Sequence, residues 1–307
     1  PVTYMQNAIV HNGCNIRLAL SKQLKEFMKK EYGIDDNFLN LSNPIFENIT
    51  SIKQIKLYPT DAKGECRCIV IYEVKERVKK EDNGNYLSID LGLNNLMTCY
   101  SNVSGETFIV GRMYFSIERK YLKEIERVQS KWYVAQNKKG VLYPKSSKHI
   151  KRLYEKKNNC SSDYLHKITR EVINYCEKNS INTIIVGDIT GLREDFNKGE
   201  VINQKMHSLP FKKLVDMLTY KAEDAGLSVI CQKEYYTSVC SPLTLSVSRE
   251  YATKEKRVKR GIFIDGEKEW NADSVGAYNI LRLYGQVSKK EIHMKMIKTP
   301  YVLKVAV

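Results

Sequence analysis

Residues 86–100 read Tyr-Leu-Ser-Ile-Asp-Leu-Gly-Leu-Asn-Asn-Leu-Met-Thr-Cys-Tyr. Leu87, Ile89, Leu91 and Leu93 alternate with Ser88, Asp90, Gly92 and Asn94, the period-two pattern of a strand with one apolar face. Asp90 then falls in mid-strand, where carboxylates are disfavoured and a half-buried charge needs a partner. Two readings follow from this stretch alone: a site that binds cations, or a solvated Asp on an edge strand.

Downstream, Leu96–Tyr100 and Thr107–Val110 read as two further strands, with short turns at Asn94-Asn95 and at residues 102–105, so a three-stranded antiparallel meander is expected. From Ser116 the period becomes helical, with Ile117, Tyr121, Ile125, Val128 and Trp132 on one face, and helical spacing resumes from Leu165 to Asn179. Ile181–Ile189 is nearly continuous in β-branched residues, the mark of a strand covered on both faces, and places Asp188 at its carboxyl end. A helix over 211–225 and a fifth strand over 227–232 complete an α/β pattern. The stretch 237–270 lacks periodicity and carries six Lys or Arg between Arg249 and Arg260. Residues 271–285 read as a helix with Asn271 or Asp273 near its cap and Gly285 at its stop. The tail, 286–307, reads as either a strand or a peripheral extension.

Upstream, residues 1–84 suggest a small β-rich domain: a helix over 21–32 stopped by Gly33, then strands Ser51–Tyr58 and Cys66–Lys75, with a boundary at the polar turn 81–84. The chain opens on Pro1, which suggests processing or a fragment. Eight cysteines scattered over 307 residues are read as reduced thiols, with Cys66 and Cys68 as core rather than ligands.

Fifty Lys and Arg against 35 Asp and Glu give a formal charge of +15, which points to a polyanion. No apolar run approaches the roughly 18 residues of a membrane span, so no membrane is expected and nucleic acid is favoured. Between Arg119 and Lys157 stand thirteen Lys or Arg against three Glu, interleaved with aromatics. Arg119, Lys123, Arg127, Lys131, Trp132, Lys148, Lys151 and Arg152 are the candidate nucleic-acid contacts, the cations for phosphates and the ring for stacking.

Three Asp residues, in the first strand, at the end of the fourth and at the start of the last helix, follow the order in which an RNase H-like fold builds its metal site. Clustered carboxylates of that kind hold two divalent ions about 4 Å apart for phosphodiester hydrolysis, and hard oxygen ligands select magnesium or manganese. The stretches 89–96, 185–191 (Ile-Val-Gly-Asp-Ile-Thr-Gly), 234–238 (Glu-Tyr-Tyr-Thr-Ser) and 271–280 (Asn-Ala-Asp-Ser-Val-Gly-Ala-Tyr-Asn-Ile) resemble, in order, the motifs of the RuvC nuclease domain of TnpB proteins. These are transposon-encoded RNA-guided DNA nucleases related to the miniature type V CRISPR effectors.

The resemblance implies a RuvC mixed sheet of about five strands over 85–285, with a basic helical insertion at 116–180, behind a partial wedge domain. It implies Asp90, Asp188 and Asp273 as the catalytic, metal-holding acids, Mg2+ or Mn2+ as cofactor, and a guide RNA and a DNA target as partners. It also implies a prokaryotic cytoplasmic setting at the nucleoid, and a homodimer is among the assemblies it allows. The recognition helices that precede the wedge in the family have no counterpart here, so the chain is expected to be the rear of a longer protein. Two departures stand out. Many relatives carry Glu before the Asp of the second motif, where this chain has Gly187-Asp188, leaving Glu194 or Glu234 as alternative acids. A zinc ribbon of paired cysteines is reduced to Cys240 in the segment 237–270, so no structural zinc is expected. A guided binding protein that does not cut is the alternative function.

Overall fold

The computed structural model describes residues 1–60, 64–73, 77–92, 94–188, 209–257, 259 and 261–306. The chain divides into two compact units, Pro1–Glu76 with Ser146–Arg152, and Arg77–Lys145 with Leu153–Val307.

The first unit holds two three-stranded sheets. Strands β2 (Ile9–Asn12), β3 (Asn15–Ala19) and β4 (Phe38–Ser42) form one in sequence order, and β1 (Val2–Met5), β5 (Ser51–Leu57) and β6 (Cys68–Glu73) form the other. Tyr4, Ile16, Leu18, Ile52 and Ile55 fill its core. The sequence reading found only β5 and β6 here, because strands of four or five residues carry too few alternations to stand out. Helix α1 (Lys22–Tyr32) has Ser21 as N-cap and Gly33 in the left-handed region at φ 65°, as its sequence indicates. Cys66 and Cys68 are exposed, which corrects their reading as core: Cys66 precedes β6, and β6 is an edge strand.

The second unit is built on a six-stranded mixed sheet. Its strands are β7 (Tyr86–Leu91), β8 (Met97–Ser101), β9 (Thr107–Val110), β10 (Thr183–Asp188), β11 (Ser228–Lys233) and β14 (Tyr301–Val302), in the order β11-β10-β7-β8-β9-β14. The meander β7-β8-β9 is antiparallel, while β10 runs parallel to both β7 and β11. Parallel neighbours require crossovers, supplied here through helices α2 (Tyr114–Asn137), α3 (Lys148–Lys178) and α4 (Phe211–Asp224). The architecture is the mixed α/β sheet expected, with a sixth strand contributed by the tail.

Both faces of the sheet are covered. Leu87, Ile89, Leu91, Ile184 and Val186 share one core with Ile117, Leu165, Ile168, Val172, Leu214 and Leu218 of the helices. On the other face Tyr86, Tyr100 and Ile185 pack against Val275, Tyr278, Ile280 and Leu281 of helix α5 (Ala272–Ser288). The second set of β7 residues therefore turns toward α5. Ser88 is wholly buried and donates its hydroxyl to the Ala277 carbonyl at 2.6 Å.

Small side chains let α5 approach this closely. A Cβ on Gly276 would overlap Asp90 Oδ2 and stand 3.2 Å from Asp90 Cγ. Gly276→Ala gains up to about 1 kcal/mol of helix propensity but overpacks this contact, for an expected net loss of about 1–2 kcal/mol. Urea denaturation of the two proteins measures it. Helix α5 also runs past Gly285 to Ser288 and ends at Lys289 in the left-handed region, φ 54°, so Gly285 is not its stop. Gly285 is instead buried in the last turn, where a Cβ would sit 3.2 Å from Ile292 Cδ1.

The segment 237–270 is less irregular than expected, since β12 (Ile262–Asp265) and β13 (Lys268–Asn271) form a hairpin leading into α5. Cys240, Val247 and Leu283 make a small apolar cluster beneath it.

Candidate functional site

Four carboxylates gather where the strands β7, β10 and β11 end. Asp90 is the fifth residue of β7, opposite Thr98 of β8, in a strand flanked on both sides. The edge-strand reading of Asp90 is thereby overturned. Asp188 ends β10, opposite Lys233 of β11, and Glu234 is the next residue after β11. Asp273 lies in the first turn of α5. Asn271 is the cap of that helix, accepting from the Asp273 and Ser274 amides at 3.1 and 3.0 Å, so Asp273 is not spent on capping.

Strand alternation sorts these groups by face. Leu87, Ile89, Ile184 and Val186 point to the helical layer of α2 to α4, so Tyr86, Ser88, Asp90, Ile185 and Gly187 point to α5. By the same period Ile230 and Glu234 belong to the α5 face, whereas Asp188 follows Ile184 and Val186. Asp90, Glu234 and Asp273 thus converge on one side.

The charges act on one another accordingly. Burial first, then the Glu234 and Asp273 carboxylates, push the Asp90 acid well above its ordinary range, with Arg257 partly opposing. Burial and the Asp188 charge push Glu234 up to about 7. Among the described residues, the buried Glu234 Oε1 has no hydrogen-bond partner. An orphaned carboxylate oxygen among like charges is costly unless a cation joins it.

Asp273 is held by several neighbours. Asn95 donates Nδ2 to its Oδ2 at 2.8 Å, Arg112 Nε donates to Asn95 Oδ1 at 3.0 Å, and the Arg257 guanidinium lies 3.8 Å from Asp273 Oδ1. Sequence reasoning missed Asn95, Arg112 and Arg257. Asn95 was visible as a turn residue beside the Asp90 strand, but Arg257 lay in a stretch with no periodicity to place it.

An all-oxygen donor set suits a hard divalent cation, and Asp90, Glu234 and Asp273 are the groups that could hold one. Among the described residues no three His, Cys, Asp or Glu side chains already stand in a metal-holding group, so the carboxylates would have to draw together on a cation. Glu194, one of the alternative acids, lies outside the described residues, as do Leu93 and Ile189.

The nucleic-acid candidates are on α2 and at the start of α3. Arg119, Lys123, Arg127 and Lys131 recur every four residues on α2, all exposed, opposite the buried Ile117 and Ile125. Trp132 is half-buried and donates Nε1 to the Lys145 carbonyl at 2.9 Å, which fixes the connection after α2 rather than leaving the ring free. Lys148, Lys151 and Arg152 are exposed and fall with the first unit. Lys157 and Glu118, 2.9 Å apart and both mostly covered, tie α3 to α2. No helix among the described residues is long and apolar enough to cross a membrane.

An OrfB_IS605 family model, described as a probable transposase, matches residues 69–193, and a Cas12f1-like TNB domain model matches residues 211–280. A cryo-EM structure of a Cas12f1-sgRNA-target DNA complex resembles the chain with a TM-score of 0.54 at 13% identity, over 86% of this chain and 51% of that one. A CRISPR-Cas12f ternary complex gives 0.45 at 12% identity, over 91% and 63%. The chain therefore spans about half the length of the first of these proteins. No curated protein matches it.

Proposed function

We propose, from the premise that this chain is a TnpB-type protein of the miniature type V effector kind, that it carries the nuclease site of an RNA-guided DNA endonuclease. The supporting observation is the convergence of Asp90, Asp273 and a buried Glu234 oxygen, unpartnered among the described residues, at the carboxyl end of a mixed sheet. Magnesium or manganese, when bound, would polarise the scissile phosphate and make water a better nucleophile. Asp90 and Asp273 would hold it from β7 and α5, with a third carboxylate, Asp188 or Glu234, from the β10–β11 edge. Asn95, steadied by Arg112, keeps the Asp273 carboxylate oriented. Arg257 would move from Asp273 to a phosphate oxygen as a cation takes its place, since the partly exposed pair is weakly held.

A guide RNA and a DNA target are the proposed partners, with the α2 stripe as one surface for their phosphates. Replacing Arg119, Lys123, Arg127 and Lys131 with Gln should lower the steepness of log K against log salt by about 3, at roughly 0.7–0.9 for each phosphate no longer neutralised. Filter binding from 50 to 300 mM salt, concentrations chosen as about the useful range, reads the slope.

The test of function is cleavage of single- and double-stranded DNA with the copurifying RNA as guide, in magnesium, in manganese and in chelator. Cutting only with metal and matched guide supports the proposal. The Arg257–Asp273 pair favours one second reading, a guided DNA-binding protein without cleavage. Tight, salt-sensitive, guide-dependent binding with no cutting in either metal would establish that reading instead.

A further inference from the structure

We propose that the second acid of this site comes from β11 rather than β10: Glu234 holds the divalent cation together with Asp90 and fills the space that a side chain on residue 187 would take. The inference rests on the metal-dependent reading above and deepens it.

Three independent observations carry it. A Cβ built on Gly187 would overlap Glu234 Oε1 and lie 2.7 Å from Glu234 Cδ and 2.9 Å from Ile280 Cδ1. The Glu234 carboxylate thus sits directly over the β10 backbone, in the direction a residue-187 side chain would point. Second, period-two alternation sends Gly187, Asp90 and Glu234 to the α5 face and Asp188 to the opposite one. Only a rotation at the strand end would bring the Asp188 carboxylate alongside Asp90. Third, among the described residues Glu234 Oε1 is buried without a hydrogen-bond partner, at the Gly187 position that Ile280 of α5 also approaches.

The chain after Glu234 is built to hold it there. Tyr236 takes the left-handed region at φ 61°, turning the backbone sharply after β11. Asn279 of α5, wholly buried, then donates Nδ2 to the carbonyls of Thr237 and Cys240, both at 2.8 Å. Arg282, one turn on, donates to Ser241 and Thr244 carbonyls. The helix that carries Asp273 therefore also anchors the loop that carries Glu234. Gly187 is what permits this, since any side chain there would evict the carboxylate. Carboxylate and glycine are complementary parts of one arrangement, so a Glu placed at 187 with Gly at 234 should restore it.

The experiment measures Mn2+ binding by electron paramagnetic resonance and Mn2+-dependent thermal stabilisation on the full chain, with DNA cleavage alongside. Glu234→Gln, nearly isosteric, should weaken Mn2+ about tenfold or more, and Asp90→Asn should do the same. Asp188→Asn, which removes a charge that acts on Glu234 but not a ligand in this arrangement, should weaken Mn2+ clearly less than Glu234→Gln does. Gly187→Glu alone should melt lower, by steric conflict with Glu234, whereas Gly187→Glu with Glu234→Gly should regain most of the Mn2+ affinity. Full affinity in Glu234→Gln with loss in Asp188→Asn would overturn the proposal and leave the metal-dependent reading standing, with Asp188 as its acid. An unaltered chain that binds no Mn2+ would overturn both.

Discussion

Asp90→Asn should abolish metal-dependent DNA cleavage, by about a thousandfold or more, while raising the melting temperature of the metal-free protein. The first effect follows from the several kcal/mol of transition-state charge stabilisation that a carboxylate-held cation supplies. The second follows from burial. Asp90 stands in a covered strand, close against Gly276 and within the field of Glu234 and Asp273, so its charged form is disfavoured without a cation. An amide fills the same volume without that cost. A guided cleavage assay and a thermal melt in chelator measure the two together, and their opposite signs separate a functional acid from a structural one. Loss of stability with loss of cutting would mean that Asp90 serves the fold.

Metal-free protein should lose stability as pH rises from about 4.5 toward 7. The Glu234 acid, ordinarily near 4.5, is pushed up to about 7 in the folded chain, so the folded state binds its proton more tightly than the unfolded state. That contribution is fully present below pH 4.5 and is lost as pH passes through 7, amounting to about 3 kcal/mol. Asp90, raised by burial and by the Glu234 and Asp273 charges, adds in the same direction. Urea denaturation in chelator at intervals across this window gives the slope, and Glu234→Gln should remove its larger part. Saturating Mn2+ should reverse it, because metal competes with protons for the same oxygens. Lys221 acts in a separate window: burial brings its ammonium down to about 8, so its contribution grows with pH only above that value.

Much of the fold could be read from the chain because its central strands are long and strongly patterned. Residues 86–91 alternate strictly and 183–186 are apolar apart from Thr183, and their order with the helices between them fixes a mixed sheet. What the pattern could not give was the far face of β7. Ser88 and Asp90 stand on the second face of an alternating strand whose cover is not given by its spacing, and α5, more than 180 residues later, closes over them with Gly276 and Ala277. Tertiary cover of that kind leaves no trace in local periodicity. The same gap affected the second motif. Asp188 was conspicuous beside Gly187, whereas the fit of Glu234 over that glycine depends on the parallel register between β10 and β11, which sequence spacing does not specify. Arg257 was hidden more thoroughly, in a turn-rich segment ordered by α5.

The last strand of the sheet is two residues long, yet it covers an otherwise open border. Tyr301 and Val302 lie against Phe108 and Ile109 of β9, the Leu303 amide donates to Ile109 O at 2.9 Å, and the Tyr301 ring stacks on Phe108 with centroids 5.8 Å apart. Before it, the tail is tied down by Lys298 N to Gly105 O at 2.9 Å and by the Tyr100 hydroxyl to Lys295 O at 2.5 Å. Without these residues β9 would present unpaired N–H and C=O groups beside an uncovered Phe, a template on which a strand of another molecule could add. A chain cut after Ser288 is therefore expected to keep its carboxylates and to self-associate edge to edge, which sedimentation would show. The tail's service is to keep other copies of the chain off the sheet.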